Sequence, residues 1–229
     1  MAPAMVALLV AMLLVVVLYY TWKPWADVLA RYAEWQHSLG LVGAAIGAGV
    51  AGGILSELSF VYIQHRGRWT VASLENMAFK FAFFVLSGGL VYEFYHLQAY
   101  WFGDSTAWSV IVKKVLVDQF GYTFAVSMWL STFATRWQLN CYSFTALRRE
   151  LDGSFFMERM LPVVIANWMF WLPAVSLIYS VPLILQTPMF LFGTAIWGLL
   201  LSAVSREGHK EEIEQAAMVA GPVALPDVE

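Results

Sequence analysis

The sequence predicts an all-α protein, a multi-pass transmembrane helix bundle of about six spans with both termini on the inner, matrix or cytoplasmic, side. Three observations carry that expectation. Apolar residues make up 60% of the 229 positions and charged residues only 13%, against about 45–50% and about 25% in an ordinary soluble domain. The mean hydropathy is +0.66, and apolar runs recur at the length of about 20 residues that a helix needs to cross the hydrocarbon of a bilayer. Apolar surface in such excess has to be solvated by lipid. The 16 Phe, 11 Trp and 10 Tyr agree, since Trp and Tyr favour the membrane interface, where the ring meets acyl chains and its polar atom stays wet.

Residues 1–24 form the first expected span. Ala4 to Trp22 contains no charged side chain. No Lys or Arg precedes it, and Lys23-Pro24-Trp25 follows it in place of a small-residue cleavage site, so a retained helix is expected rather than a signal peptide. Over 25–38, Trp25, Val28, Leu29, Tyr32 and Trp35 recur at helical spacing with Asp27, Arg31 and Glu34 between them, the pattern of an amphipathic helix lying in the interface.

Residues 39–204 form the main bundle. The span at 39–63 is rich in small residues, and Gly43/Gly47 and Gly49/Gly53 have the small-xxx-small spacing that lets helix backbones touch, so one of its faces is expected to be buried in protein. After the polar break at His65-Arg66-Gly67-Arg68, the span at 78–102 is apolar and aromatic except for Lys80, Glu93 and His96. The span at 108–133 carries Lys113, Lys114, Asp118 and Gln119 in its first half. Arg136 to Arg159 is charged and reads as a connecting loop. The spans at 161–179, interrupted by Pro173, and 183–204 are separated by Ser180-Val181-Pro182, a linker short enough to force a tight antiparallel pair. Residues 205–229 read as a polar C-terminal tail.

With six spans, eight basic residues (Arg66, Arg68, Arg136, Arg148, Arg149, Arg159, Arg206 and Lys210) fall on one side, and Lys23, Arg31, Lys113 and Lys114 on the other. The Lys/Arg excess marks the inner side. The net charge of −3 and the lack of a clustered basic face exclude a nucleic-acid partner. Cys141 is the single cysteine, so no intrachain disulfide is possible, and it reads as a buried small apolar residue.

Four collinear blocks over residues 30–203 resemble the Mpv-seventeen and 22-kDa peroxisomal membrane protein family. Asn167-Trp168, Trp171, Val181-Pro182, Trp197 and Leu201-Ser202 are similar to its closing signature, with the family's fourteen-residue interval between Pro182 and Trp197. Lys114 followed by Asp118-Gln119 resembles its Lys-containing Asp-Gln helix start, Gly88 to Tyr95 its G-P-x-x-H-x-W-Y segment, and Gly52 to Glu57 its G-D-x-x-x-Q. Gly53, Glu57, Gly89 and Tyr92 stand where the family has Asp, Gln, Pro and His; Phe124 replaces a Pro and Gln186 an Arg, and the first helix is an addition. These departures fall on polar positions, so what the resemblance implies is chiefly the fold. It also implies structural roles for Gly52, Gly88, Lys114, Trp168, Trp171, Pro182, Trp197 and Ser202, and a mitochondrial inner or a peroxisomal membrane. A bacterial inner membrane also fits the sequence.

An ionised side chain at the bilayer centre costs about 2.5–3.5 kcal/mol on insertion scales, so Glu57, Glu93 and Asp118 must face protein or water. With Gln119, Asn167 and Gln186 they either line a hydrated path or hydrogen-bond helix to helix. Lys114, one turn before Asp118, is placed to pair with it, and Lys80 to snorkel from its helix end. Pro173 and Pro182 each remove a backbone donor and leave a carbonyl that only protein or a water-filled cavity can satisfy. No phosphate loop, H-E-x-x-H, paired Cys or nucleophile elbow is present, so no enzyme activity and no metal site are expected. His37, His65, His96 and His209 are scattered, and neither haem nor pigment is expected; bound lipids are.

Two functions remain. The family resemblance implies a weakly selective channel or permeability modulator of an organelle membrane. The aromatic load, the added helix and the altered polar positions fit a non-catalytic accessory subunit of a large respiratory or photosynthetic complex, contacting its neighbours through the first helix or the Gly43/Gly47/Gly49/Gly53 face.

Overall fold

A computed structural model describes residues 2–64, 66–195 and 197. Ser202, most of the last expected span beyond Ala195, the 205–229 tail, His65 and His209 lie outside the described residues. Those described are all-helical, with no strand among them.

Helix α1 (Ala2–Thr21) turns through 108° into α2 (Lys23–Ser38). The bend follows from Pro24, which has no N–H to bond a carbonyl four residues back, while Trp22 adopts an extended conformation before α2 starts. Leu39 and Gly40 turn the chain again into a rod made of α3 (Gly40–Ala48), a π-helical stretch (Gly49–Leu55) and α4 (Ser56–Gln64). Helix α5 (Val71–Phe102) is capped at its start by Thr70, whose hydroxyl accepts from the Ser73 amide. It starts seven residues before the apolar run expected at 78, because this cap lies ahead of it. It stops at Gly103, whose φ of +77° is a conformation that costs glycine little.

A third rod comprises α6 (Trp108–Leu116), a second π-helical stretch (Val117–Ser127) and α7 (Met128–Leu139). The segment expected to be a loop is largely helical: α7 runs past Arg136 to Leu139, α8 (Phe144–Glu150) follows, and a π-helical turn (Phe156–Met160) leads into α9 (Leu161–Tyr179). Its charges are placed by ion pairing, not by looping out: Arg136 donates to Glu150 at 2.6 Å, and the Asn140 amide donates to the same carboxylate at 2.6 Å. Helix α9 passes through Pro173 without interruption, and α10 (Leu183–Ala195) begins after Pro182, a place where a missing N–H is harmless. Cys141, expected to be buried, is exposed in the turn after α7, where its φ is +50°.

Among the described residues, three helices are long and apolar enough to cross a membrane: Gly40–Tyr62, Val71–Phe102 and Phe156–Tyr179; the bent α1–α2 pair makes a fourth if counted as one span. The Trp108–Leu139 rod is as long as α5, but the polar residues it turns inward lower its hydropathy. Large apolar side chains crowd the outside, among them Val10, Leu13, Val42, Leu86, Trp101 and Trp108, while Gln36, Glu57, Gln98, Lys114, Asp118, Gln119 and Asn167 are buried. This inversion of the usual soluble pattern is compatible with an integral membrane protein.

The tightest contact joins the glycine-rich rod to α5. A Cβ on Gly53 would meet the Phe81 backbone at 2.5 Å, one on Gly52 the Phe84 ring at 2.4 Å, and one on Gly88 the Ala48 methyl at 2.2 Å. The Gly49/Gly53 half of the small-residue face is therefore filled by the chain's own α5. On α2 the buried row is Ala33 and Gln36, whereas Val28, Tyr32 and Trp35 point outward.

Two measurements test this packing. Gly53→Ala has rigid backbone in its way and is expected to cost about 1–3 kcal/mol, lowering the unfolding temperature in detergent; Gly89→Ala, whose nearest neighbours would be Leu41 at 3.5 Å and Ala45 at 3.8 Å, is expected to leave it unchanged or raise it. For Glu150, partial burial raises the carboxyl, but the Arg136 and Asn140 hydrogen bonds and the nearby Arg charges outweigh it and hold it below the ordinary glutamate range. A depressed folded-state value stabilises above the unfolded one, about 4.3, and is lost as pH falls through the folded one. Acid unfolding scans below about pH 4.3 should therefore be less steep for Glu150→Gln than for the wild type.

Candidate functional site

The third rod carries the most polar interior surface. Its π-helical stretch is bonded i to i+5, which stacks residues five apart on one side. Asp118, Thr123, Ser127 and Ser131, spaced five, four and four, thereby share a face, and the Thr123 hydroxyl reaches back to Asp118 Oδ1 at 3.3 Å. Facing this row are Ser87 and Tyr95 of α5, Asn167 and Trp171 of α9, and Thr194 of α10, and together they line one cavity of about 50 Å³. A water needs about 10–15 Å³ of such space, so the cavity has room for a few water molecules.

Asp118 anchors one end. Its Oδ2 accepts from the Tyr179 hydroxyl at 2.5 Å and its Oδ1 from Gln119 Nε2 at 2.9 Å. The network extends outward, with Asn167 Nδ2 at 3.5 Å from Gln119 Oε1 and Trp168 Nε1 donating to the Gln119 carbonyl at 3.2 Å. Three donors on a carboxylate stabilise it as an anion inside the bundle. The expected Lys114–Asp118 ion pair is not formed among the described residues. Lys114 is buried with its ammonium 5.9 Å from the centre of the Tyr179 ring, a cation–π distance. Nearby, Gln98 is wholly buried beside Tyr179.

Glu57 lies elsewhere. Its Oε2 accepts from Lys80 Nζ at 2.5 Å, and both side chains are largely buried; Lys80, expected to snorkel, turns inward instead because a buried carboxylate is within reach. Glu93 and His96 are exposed, and His96 Nδ1 lies 2.9 Å from the Tyr92 carbonyl. Gln186 is buried on α10 and donates to the Val181 carbonyl at 3.2 Å, away from the cavity. Of the sequence-chosen residues, the fold thus brings together Asp118, Gln119, Asn167, Trp168, Trp171 and Trp197, with Gly52 and Gly88 at the α5 contact.

Sequence reasoning passed over Thr123, Ser127, Ser131, Ser87, Tyr95, Gln98 and Tyr179. The hydroxyl row escaped because an α-helical period of 3.6 takes residues five apart to different faces, and only the π-helical bonding aligns them. No family model, curated protein or solved structure matches this chain.

The Glu57–Lys80 pair is open to a double-mutant cycle. Glu57→Gln or Lys80→Met alone leaves a buried charge without its counter-ion and should destabilise by about 3–5 kcal/mol, whereas the double variant should recover most of that, read by unfolding in detergent. Additive losses would show that the two groups do not interact.

Proposed function

We propose that this chain is a non-catalytic integral membrane protein that crosses the bilayer six times with both termini inside, and that the polar core between α5, the third rod, α9 and α10 is a narrow, closed path for water, protons and small cations. The resemblance to the Mpv-seventeen and 22-kDa peroxisomal membrane protein family supports a permeability role, and with it a mitochondrial inner or peroxisomal location.

The observation that carries the reading is the alignment of Asp118, Thr123, Ser127 and Ser131 opposite Ser87, Asn167 and Thr194 around a single cavity. Interhelical glue requires polar groups in pairs. Here polar side chains follow one another over thirteen residue steps, about 20 Å of helix rise, and among the described residues they pair across the gap at the Asp118 end alone. Such a row replaces hydration for a permeating ion in steps, and Asp118 sets its sign to cationic. The conducting form requires the cavity to widen, and the long π-helical stretch is a natural place for helix register to change.

The competing reading is an accessory subunit with no conductance. It is favoured by the small size of the cavity and by the full set of hydrogen bonds on Asp118, both suited to a packed interface.

Flux measured in liposomes containing the purified chain separates the two. A path predicts potassium or proton flux above protein-free liposomes, reduced at least about tenfold, or about 1.4 kcal/mol, by Asp118→Asn. Absence of flux at high protein load, together with comigration with a large assembly on native electrophoresis, would favour the subunit.

A further inference from the structure

Two apolar crevices adjoin beside α10, which also lines the polar core. The larger, about 730 Å³, runs along α3 and the π-helical stretch after it, from Leu39 to Leu55, between α2 and α10. The smaller, about 230 Å³, lies between α1, α2 and α10. Tyr32, Pro188 and Phe192 line both, so the two are neighbours separated by one ridge.

Each crevice has a stranded donor in its lining. Gln36, only 3% exposed, has no acceptor for its Nε2 and lines the larger crevice; Trp25 Nε1, also buried and without an acceptor, belongs to the smaller. Both come from α2, eleven residues or about 16 Å apart along the helix. A buried donor without a partner is costly, and Gln36 in the lining of a long apolar slot asks for a ligand with an acceptor at the head of an apolar tail.

We propose that the paired crevices seat one diacyl phospholipid, with one acyl chain in each slot and an ester carbonyl accepting from Gln36 Nε2. The slot along α3 spans sixteen residue steps, about 24 Å, enough for a chain that fills one leaflet of a hydrocarbon core about 30 Å thick. The solvent side of α2 carries Lys23, Asp27, Arg31, Glu34 and His37, charges of both signs, which suits a zwitterionic headgroup rather than an anionic one. A helix of a second copy of this chain is the poorer occupant, because its backbone carbonyls are already bonded within the helix. This seat requires only that the chain be embedded in lipid and does not depend on conduction.

The test uses the full chain in liposomes of phosphatidylcholine doped with a phosphatidylcholine whose acyl chain carries a photoreactive diazirine. Labelling of the wild type should concentrate within Leu39–Leu55. Gln36→Leu, which removes a single hydrogen bond, should reduce it about two- to tenfold, and Ile46→Trp, which fills the slot, should abolish it, in preparations whose unfolding temperature matches the wild type. Even labelling across the outward faces of α1 and α5 in the wild type would overturn the proposal and show bulk lipid only. Labelling unchanged in both variants, or covalent dimers joined through α3 that exclude the label, would overturn it as well.

Discussion

The outside of this bundle offers almost nothing to hydrogen-bond with, and the placement of its polar side chains follows from that. Leu, Val, Phe and Trp line the outer surface, so Glu57, Asp118, Gln119 and Asn167 have to be satisfied by other helices. In water such groups would simply turn outward. Here they turn inward, and the helices that carry them are held where their partners are: Lys80 on α5 for Glu57, and Tyr179 on α9 for Asp118. Each buried pair thus sets the position and rotation of two helices at once, which apolar contact with lipid-like side chains does weakly.

The two π-helical stretches serve different ends by the same geometry. In Gly49–Leu55 the widened turn contains glycines that admit the α5 backbone and the rings of Phe81 and Phe84. In Val117–Ser127 it aligns Asp118 with Thr123 and passes the polar face on to Ser127 and Ser131. One brings backbones together, and the other keeps a seam of hydroxyls from being packed shut. The polar core and the apolar crevices share α10, which gives Phe190 and Thr194 to the first and Leu191 and Phe192 to the second, and a ligand for one has no chemistry in common with a ligand for the other.

The helical class and the approximate position of most helices were legible in the sequence, because apolar runs and the Gly and Pro breaks between them are local features. The amino acids also showed which polar residues needed explaining: Glu57, Asp118, Gln119, Asn167 and Gln186 are all buried. The apolar stripe of α2 did not show which face meets protein, since Val28, Tyr32 and Trp35 point outward and Gln36 inward. When the surroundings are as apolar as the core, hydrophobicity no longer distinguishes outside from inside, and small or polar residues become the better guide.

The length of the apolar runs determined that this chain is helical, and composition that its surface is apolar, because no arrangement of so few charges covers so many Leu, Val and Phe side chains. Only the tertiary structure decided the partners. Lys80 takes Glu57 from 23 residues away, Tyr179 takes Asp118 from 61 residues away, and Lys114, the neighbour in sequence, pairs with neither carboxylate among the described residues. Local spacing proposes the pair one turn apart, but rotation of each helix against its neighbours settles which oxygen a donor reaches, and that rotation depends on the whole bundle.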